Sequence, residues 1–245
     1  DCIAFIDAGN YAEPQWLEEL LKPMKNDPDI DIVFGSPEPI ANNLFTQCVA
    51  LIEGDQPHIV NGIPMYPFHV DSSLIKRHVW ERIGGFRSDL RSAEDVIFIR
   101  RALAEGFRYA YAPMGKVHWE VCQSLKSLFR RRVLYSYSSI KAGLAREGPL
   151  VLARIYLLGV LLFLLSLLFG PQWFGVLGLL VVIRTGKAIA KKTFPLGEYS
   201  TILSPKKFIL SCMIMISLDM ATFVGSWNWI TRGLRGGDPG DRIWP

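Results

Sequence analysis

Residues 150–169 are an almost unbroken apolar run, interrupted only by Arg154 near its start. A helix of about 20 apolar residues matches the ~30 Å hydrocarbon layer of a bilayer, so such a run is long enough to cross a membrane. Gly170-Pro171-Gln172 then turns the chain, and apolar sequence resumes from Trp173 to Ile183 and on toward Ala190. Basic residues precede the first run, and Arg184, Lys187, Lys191, Lys192, Lys206 and Lys207 follow the second, while the turn carries none. The positive-inside rule therefore predicts a helical hairpin spanning about 150–170 and 172–190, with both open ends cytoplasmic. Residues 208–230 are a third candidate span, with Asp219 near the middle. A carboxylate there must face protein, water or a cavity. It either lines a groove for a lipid substrate or makes a structural polar contact, or the whole segment lies at the interface.

The remainder is different in kind. Half of the 245 residues are hydrophobic, but residues 1–122 alternate short apolar strands with amphipathic helices. The net charge of +4 is modest. Its basic residues gather near the apolar runs, which suits a membrane surface, and no zinc-finger spacing or RNA-binding aromatic signature points to nucleic acid. Cys2, Cys48, Cys122 and Cys212 are scattered, without the paired spacing of a disulfide framework or zinc site.

Residues 2–6 read as a buried strand ending at Asp7, and 31–35 and 68–76 as further strands. Helices are predicted from Pro14 to Lys25, over 40–52, 78–83 and 94–104, with an irregular segment at 54–67 and a strand at 107–112. The alternation predicts an α/β layer architecture. Residues 123–148 form a helical pattern carrying Lys126, Arg130, Arg131, Arg132, Lys141 and Arg146 among Leu, Phe and Tyr. That is either an amphipathic helix at the headgroup level or a basic surface helix of the α/β domain. Residues 231–245, rich in Gly and charge, read as a loose tail.

The chemistry concentrates between residues 72 and 118. Gly84-Gly85-Phe86 is a tight turn, and about ten residues later Glu94-Asp95 opens a helix. Carboxylates at a helix N-terminus sit in its positive field and suit a residue that must accept a proton, although an isolated pair is also an ordinary cap.

In order along the chain stand Ile3-Ala-Phe-Ile-Asp7-Ala-Gly9 with Pro14-Gln-Trp16-Leu17, Ser72-Ser-Leu-Ile-Lys-Arg77, Trp80-Glu-Arg-Ile-Gly84-Gly85-Phe86, Ala93-Glu94-Asp95, Glu105-Gly106-Phe107 and Val117-His118. This series resembles the inverting family 2 glycosyltransferases of GT-A fold, over about residues 2–145, and the hairpin beyond is common in their membrane-bound bacterial members. The resemblance implies a partial GT-A domain followed by a transmembrane helical region. It implies a sugar moved from a nucleotide-diphosphate donor to a lipid-linked or envelope glycan acceptor. Asp95 would be the general base, with Glu94 beside it. Asp7 and Gly9 would stand at the donor diphosphate, Gly84, Gly85 and Phe86 at the acceptor, and Asp7 and His118 at a divalent cation (Mg or Mn).

Two departures accompany it. The second acid of the Asp-x-Asp motif is Gly9, which weakens the expected cation site. The strands that recognise base and ribose normally precede Asp7, so the chain reads as an N-terminally incomplete member. No Gln-x-x-Arg-Trp motif of processive synthases is present, since Phe129-Arg-Arg-Arg-Val-Leu-Tyr135 occupies that neighbourhood. Single-sugar transfer is the expectation. The alternative is a catalytically impaired relative that acts as a membrane scaffold or partner subunit.

Overall fold

The structure, a computed structural model, describes residues 1–53, 58–60, 63–65, 70–145, 149–170, 172–193 and 204–233. They fall into two compact units, one of the described residues within 1–88 and 94–121, the other of those within 89–93, 122–193 and 204–233.

In the first unit, β1 (Cys2–Ile6), β2 (Tyr11–Ala12), α1 (Trp16–Asn26), β3 (Ile32–Ile40) and α2 (Leu44–Glu53) are followed by a two-stranded ribbon, β4 (His58–Val60) and β5 (Ile63–Met65). Next come β6 (Ser72–Lys76), α3 (Arg77–Ile83), α4 (Glu94–Ala104) and β7 (Tyr109–Glu120). Five strands form one sheet in the order β1-β6-β3-β7-β2. β3 and β7 run parallel, β6 runs antiparallel to both β1 and β3, and β2 antiparallel to β7.

The period-2 alternation of the strands sorts the core onto two faces. Ile32, Phe34 and Ile75 pack with Val79 of α3 and with Phe98, Ile99 and Ala102 of α4. Val33 and Leu74 point the other way, onto Leu20 of α1. The sheet is thus a middle layer between α1 and the α3–α4 pair, as the alternation predicts. α4 begins at the predicted residue. α1 begins two residues after Pro14, which lies in the turn before it, where the Trp16 amide bonds the Glu13 carbonyl at 2.9 Å. α2 begins later than expected because Asn43 caps it: the Thr46 amide donates to Asn43 Oδ1 at 2.9 Å and the Asn43 amide to Thr46 Oγ1 at 3.1 Å. Of the expected irregular segment 54–67, residues 54–57, 61–62 and 66–67 lie outside the described residues, as do the first two residues of the strand expected over 68–76.

One expectation is corrected. β1 is a strand, but not a buried one. It is the edge of the sheet, with Cys2, Ala4 and Ile6 exposed and Ile3 and Phe5 half-buried. The apolar run that suggested burial on both faces covers one face only.

The sheet is pinched at Gly35. Between the Phe34–Tyr111 and Ser36–Lys116 pairs, this single residue of β3 opposes residues 112–115 of β7, a wide bulge. Ser72 Oγ fills the gap, donating to the Gly115 carbonyl at 3.0 Å and accepting from Trp16 Nε1 at 2.9 Å. A Cβ on Gly35 would lie 2.1 Å from Ser72 Oγ and 2.2 Å from the Gly115 carbonyl oxygen.

In the second unit, α5 (Leu125–Lys141) packs along α8 (Pro205–Gly233), while α6 (Pro149–Phe169) and α7 (Gln172–Thr193) lie against each other. Ser124 caps α5 by accepting from the Ser127 amide at 3.2 Å. Gly225 admits the backbone of α5, because a Cβ there would sit 2.4 Å from the Val133 carbonyl oxygen. Around this contact Ser136 Oγ donates to the Thr222 carbonyl at 2.8 Å and Arg132 Nε to Thr222 Oγ1 at 3.2 Å. The basic helix is therefore packed against an apolar one along its buried side, with Lys126 and Arg130 left exposed. Leu150–Phe169 and Pro205–Thr231 are long and apolar enough to cross a membrane, and α7 is not among the helices that meet that measure. Asp219, the buried carboxylate of α8, is held by both terminal guanidinium nitrogens of Arg184 and by the Tyr156 hydroxyl, which donates to it at 3.2 Å. The structural polar contact is the reading of Asp219 that the structure bears out. Most of the expected loose tail, residues 234–245, lies outside the described residues.

Gly35→Ala is expected to destabilise the first unit by about 2 kcal/mol or more, because a new methyl group would overlap backbone as well as the serine hydroxyl. Adding Ser72→Ala will not restore the loss, since the Gly115 carbonyl remains in place. Thermal unfolding of the single and double variants checks this, and recovery in the double variant would contradict the geometry.

Candidate active site

Four aromatic rings set the position of the acidic residues. Phe5 of β1 lies 5.4 Å from Trp80 of α3 and 5.8 Å from Phe86. Trp80 lies 5.0 Å from Phe86 and 5.3 Å from Phe98 of α4, and Phe86 lies 5.4 Å from Phe98. These tilted and edge-to-face arrangements are the favourable ones for aromatic pairs. Asp7 follows Phe5 by two residues. Glu94 and Asp95 precede Phe98 by four and three, about one helical turn. The cluster thus joins the end of β1 to the start of α4.

Glu94 registers the result. Its carboxyl is pushed above the ordinary glutamate range, first by burial and then by the negative charges of Asp95 and Asp7, against a lowering by its own backbone N–H. Its Oε2 is shut off from solvent and has no hydrogen-bond partner among the described residues. Asp95 directs Oδ1 to the Val96 amide at 2.7 Å. Ala93, immediately before the pair, holds a φ of +67°, the one non-glycine residue in the left-handed region among those described. That conformation costs a residue with a side chain on the order of 1 kcal/mol, and such strain is common next to functional groups.

The turn after β1 accounts for the missing acid. The Asn10 amide bonds the Asp7 carbonyl at 3.1 Å, closing a turn in which Gly9 has a φ of +91°. An aspartate at Gly9 would be strained, although open space surrounds the position. The side-chain Nδ2 of Asn10 is also buried without a hydrogen-bond partner among the described residues. Extending the β1–β6 register one step beyond its Ile6–Ser72 pair sets Asp71 across from Asp7. Neither Asn10 nor Asp71 stands out in the sequence, and only the antiparallel pairing of residues distant along the chain reveals Asp71.

Gly84, Gly85 and Phe86 have plain structural duties. Gly84 caps α3 with a φ of +83°, and the amides of Gly84 and Gly85 both bond the Trp80 carbonyl. Gly85 rests on the Trp80 ring, which a Cβ would approach to 2.8 Å. Phe86 completes the aromatic cluster. His118 stands apart from the Glu94 neighbourhood in its bonding: Nε2 meets Glu13 Oε1 at 3.1 Å and Nδ1 lies 3.8 Å from Glu38 Oε2, while Lys116 holds Glu38 at 2.8 Å. Among the described residues no three His, Cys, Asp or Glu side chains gather as a metal ion would require. Asp7 and His118 alone do not make such a site.

The comparison with known sequences closes the argument on family. The sequence model of glycosyl transferase family group 2 matches residues 2–228. The chain belongs to this family. The match runs through both units, so helices α5 to α7 and most of α8 belong to the family's own domain. No curated protein matches the chain. As a glycosyltransferase the protein takes a nucleotide-sugar donor and an acceptor.

The raised carboxyl of this glycosyltransferase has a measurable consequence for folding. Glu94 binds its proton more tightly folded than unfolded. The stability this adds is fully present below the ordinary carboxylate range and is lost as pH rises through the raised value. Ionised Glu94 therefore works against the fold at neutral pH. Glu94→Gln is expected to raise the thermal midpoint at pH 7 and to match the wild type near pH 4, close to the unperturbed carboxyl range. A midpoint at pH 7 that is unchanged or lower would contradict the assignment.

Proposed function

We propose that this glycosyltransferase moves a sugar with inversion from a nucleotide-diphosphate donor to a lipid-linked or envelope glycan acceptor at the cytoplasmic face of a membrane. The observation that carries the reading is the shared electrostatic neighbourhood of Asp7, Glu94 and Asp95. Inverting transfer needs a base that removes the acceptor proton as the oxygen attacks the anomeric carbon opposite the departing diphosphate. Asp95 takes that role, steadied at the start of α4 by the Val96 amide. Glu94, its carboxyl pushed upward by burial, is the acceptor ligand beside it, with an Oε2 that lacks a hydrogen-bond partner among the described residues. Two adjacent carboxyls in different surroundings can divide their duties in this way.

Asp7, at the end of β1, faces the donor side in this reading, and the Gly9 turn brings backbone amides rather than a second carboxylate toward the diphosphate. The Gly84-Gly85-Phe86 turn borders the acceptor by fixing where the chain leaves α3. Support for the membrane location comes from the apolar helices together with the basic residues at the open ends of the α6–α7 hairpin. An acceptor carried by a lipid would then be presented near the headgroups.

Asp95→Asn is expected to lower kcat/KM by about 10²- to 10⁴-fold, the usual range for loss of a general base, with little change in donor KM. Glu94→Gln keeps a hydrogen-bonding group and loses less, while Glu94→Ala mainly raises the acceptor KM. Transfer assays on the full protein in membranes, with a panel of nucleotide sugars, measure both. Full activity in Asp95→Asn would end the base assignment. A wild-type protein that transfers from no donor would favour the scaffold reading.

A further inference from the structure

α8 has the length and apolarity of a membrane span, but its partners place it elsewhere. Asp219 is the fifteenth of its 29 residues, so a spanning α8 would hold this carboxylate near mid-bilayer. Arg184, which grips Asp219, is the first charged residue of α7 and opens its basic end, with Lys187, Lys191 and Lys192 following. Tyr156, the other partner, lies seven residues into α6, about 10 Å along it and two residues past Arg154. The middle of α8 is therefore level with the charged, open end of the hairpin.

Both halves of α8 repeat the pattern. Toward its start, Phe208 approaches Gly186, which lies beyond Arg184 toward the basic end of α7. Toward its end, Phe223 stacks edge-on to Tyr156 at 4.8 Å, and residues 222–226 meet α5 around Arg132, Val133 and Ser136. The turn of α5 at that contact carries Arg130, Arg131 and Arg132. Three arginines within one helical turn do not enter hydrocarbon when an aqueous boundary is at hand. Positions 208 and 223 are about 22 Å apart along α8, and yet both touch the hairpin within its charged end.

The remaining surface of α8 fits this placement. Ile209, Met213, Ile216, Met220, Val224 and Trp227 are all exposed, and their spacing puts them in one narrow stripe along the helix. Leu218, Ala221, Thr222 and Gly225 lie on the opposite, buried side.

We infer that α8 lies flat in the headgroup layer of the leaflet that receives both open ends of the α6–α7 hairpin, with its apolar stripe turned to the acyl chains and α5 covering its other side. Its ligand is the lipid surface itself. The inference rests on the proposed membrane hairpin and adds a topology: two crossings, with the residues before α6 and after α8 on one side. Asp219 then anchors the helix to the hairpin at the interface.

Three single-cysteine variants of the full chain, Pro171→Cys, Ser204→Cys and Thr231→Cys, test it. Each is made without the four native cysteines and probed with a membrane-impermeant maleimide in sealed right-side-out and inverted vesicles. Residues 204 and 231 are expected to label from one side and residue 171 from the other. Labelling of 204 and 231 from opposite sides would show that α8 spans, leaving the hairpin intact and overturning the inference. Labelling of all three from one side would overturn the hairpin and the inference with it. A C-terminal topology reporter on the chain with its native cysteines guards against misfolded variants. It is expected on the side of the N-terminal unit, and a reporter on the opposite side counts against the inference.

Discussion

The packing of Phe5, Trp80, Phe86 and Phe98 is the contact on which the candidate site depends. Each ring comes from a different element: an edge strand, a short helix, the turn that ends it, and the helix opened by the acid pair. Edge strands hold only one row of ladder bonds, so β1 is fastened to the sheet by β6 on one side and by its single buried face. Phe5 supplies much of that face. Without it the position of Asp7, two residues on, would rest on the ladder and the Gly9 turn alone. Aromatic packing, which involves no charge, thus sets the distance between carboxylates whose repulsion would drive them apart.

That repulsion is sharpened by burial. An ionised Glu94 faces Asp95 and Asp7 with one oxygen cut off from water and lacking a partner among the described residues. A solvated surface pair would relax into water. This one is fixed by the helix start and by Phe98 one turn later, and it follows a strained Ala93. Strain, desolvation and like charge converge on two residues, and proteins usually retain such a combination for chemistry.

Much of the fold was legible because the signals were local. The start of α4 could be read from two acids before an apolar helical pattern, and α3 and its end from Gly84. The failures involve residues brought together across the chain. β1 read as buried because five apolar-rich residues look alike in a central or an edge strand, and only pairing decides. Ser72 read only as part of a strand, whereas its hydroxyl also ties β7 to the Trp16 indole in the pinch at Gly35. Gly9 read as the departure from the Asp-x-Asp pattern, and its φ of +91° adds that the turn there favours glycine. The structural duties of Gly84, Gly85 and Phe86, capping α3 and completing the aromatic cluster, likewise emerge only from the fold.

The helical unit illustrates a limit of hydropathy as a guide. Averaged over its length α8 is as convincing a span as many, and α7 is less so, yet in the proposed topology the ion pair between Arg184 and Asp219 reverses their apparent standing. A guanidinium at the first charged turn of α7 has short reach into hydrocarbon, and a carboxylate pairs with it where both keep access to headgroups or water. The partner of a charge therefore reports depth better than the apolar average of the helix that carries it. Gly225, Ser136 and Thr222 make the same point from the other side. Small residues let α5 and α8 approach to backbone contact, and a helix bearing a turn of three arginines sets the environment of any helix it touches so closely.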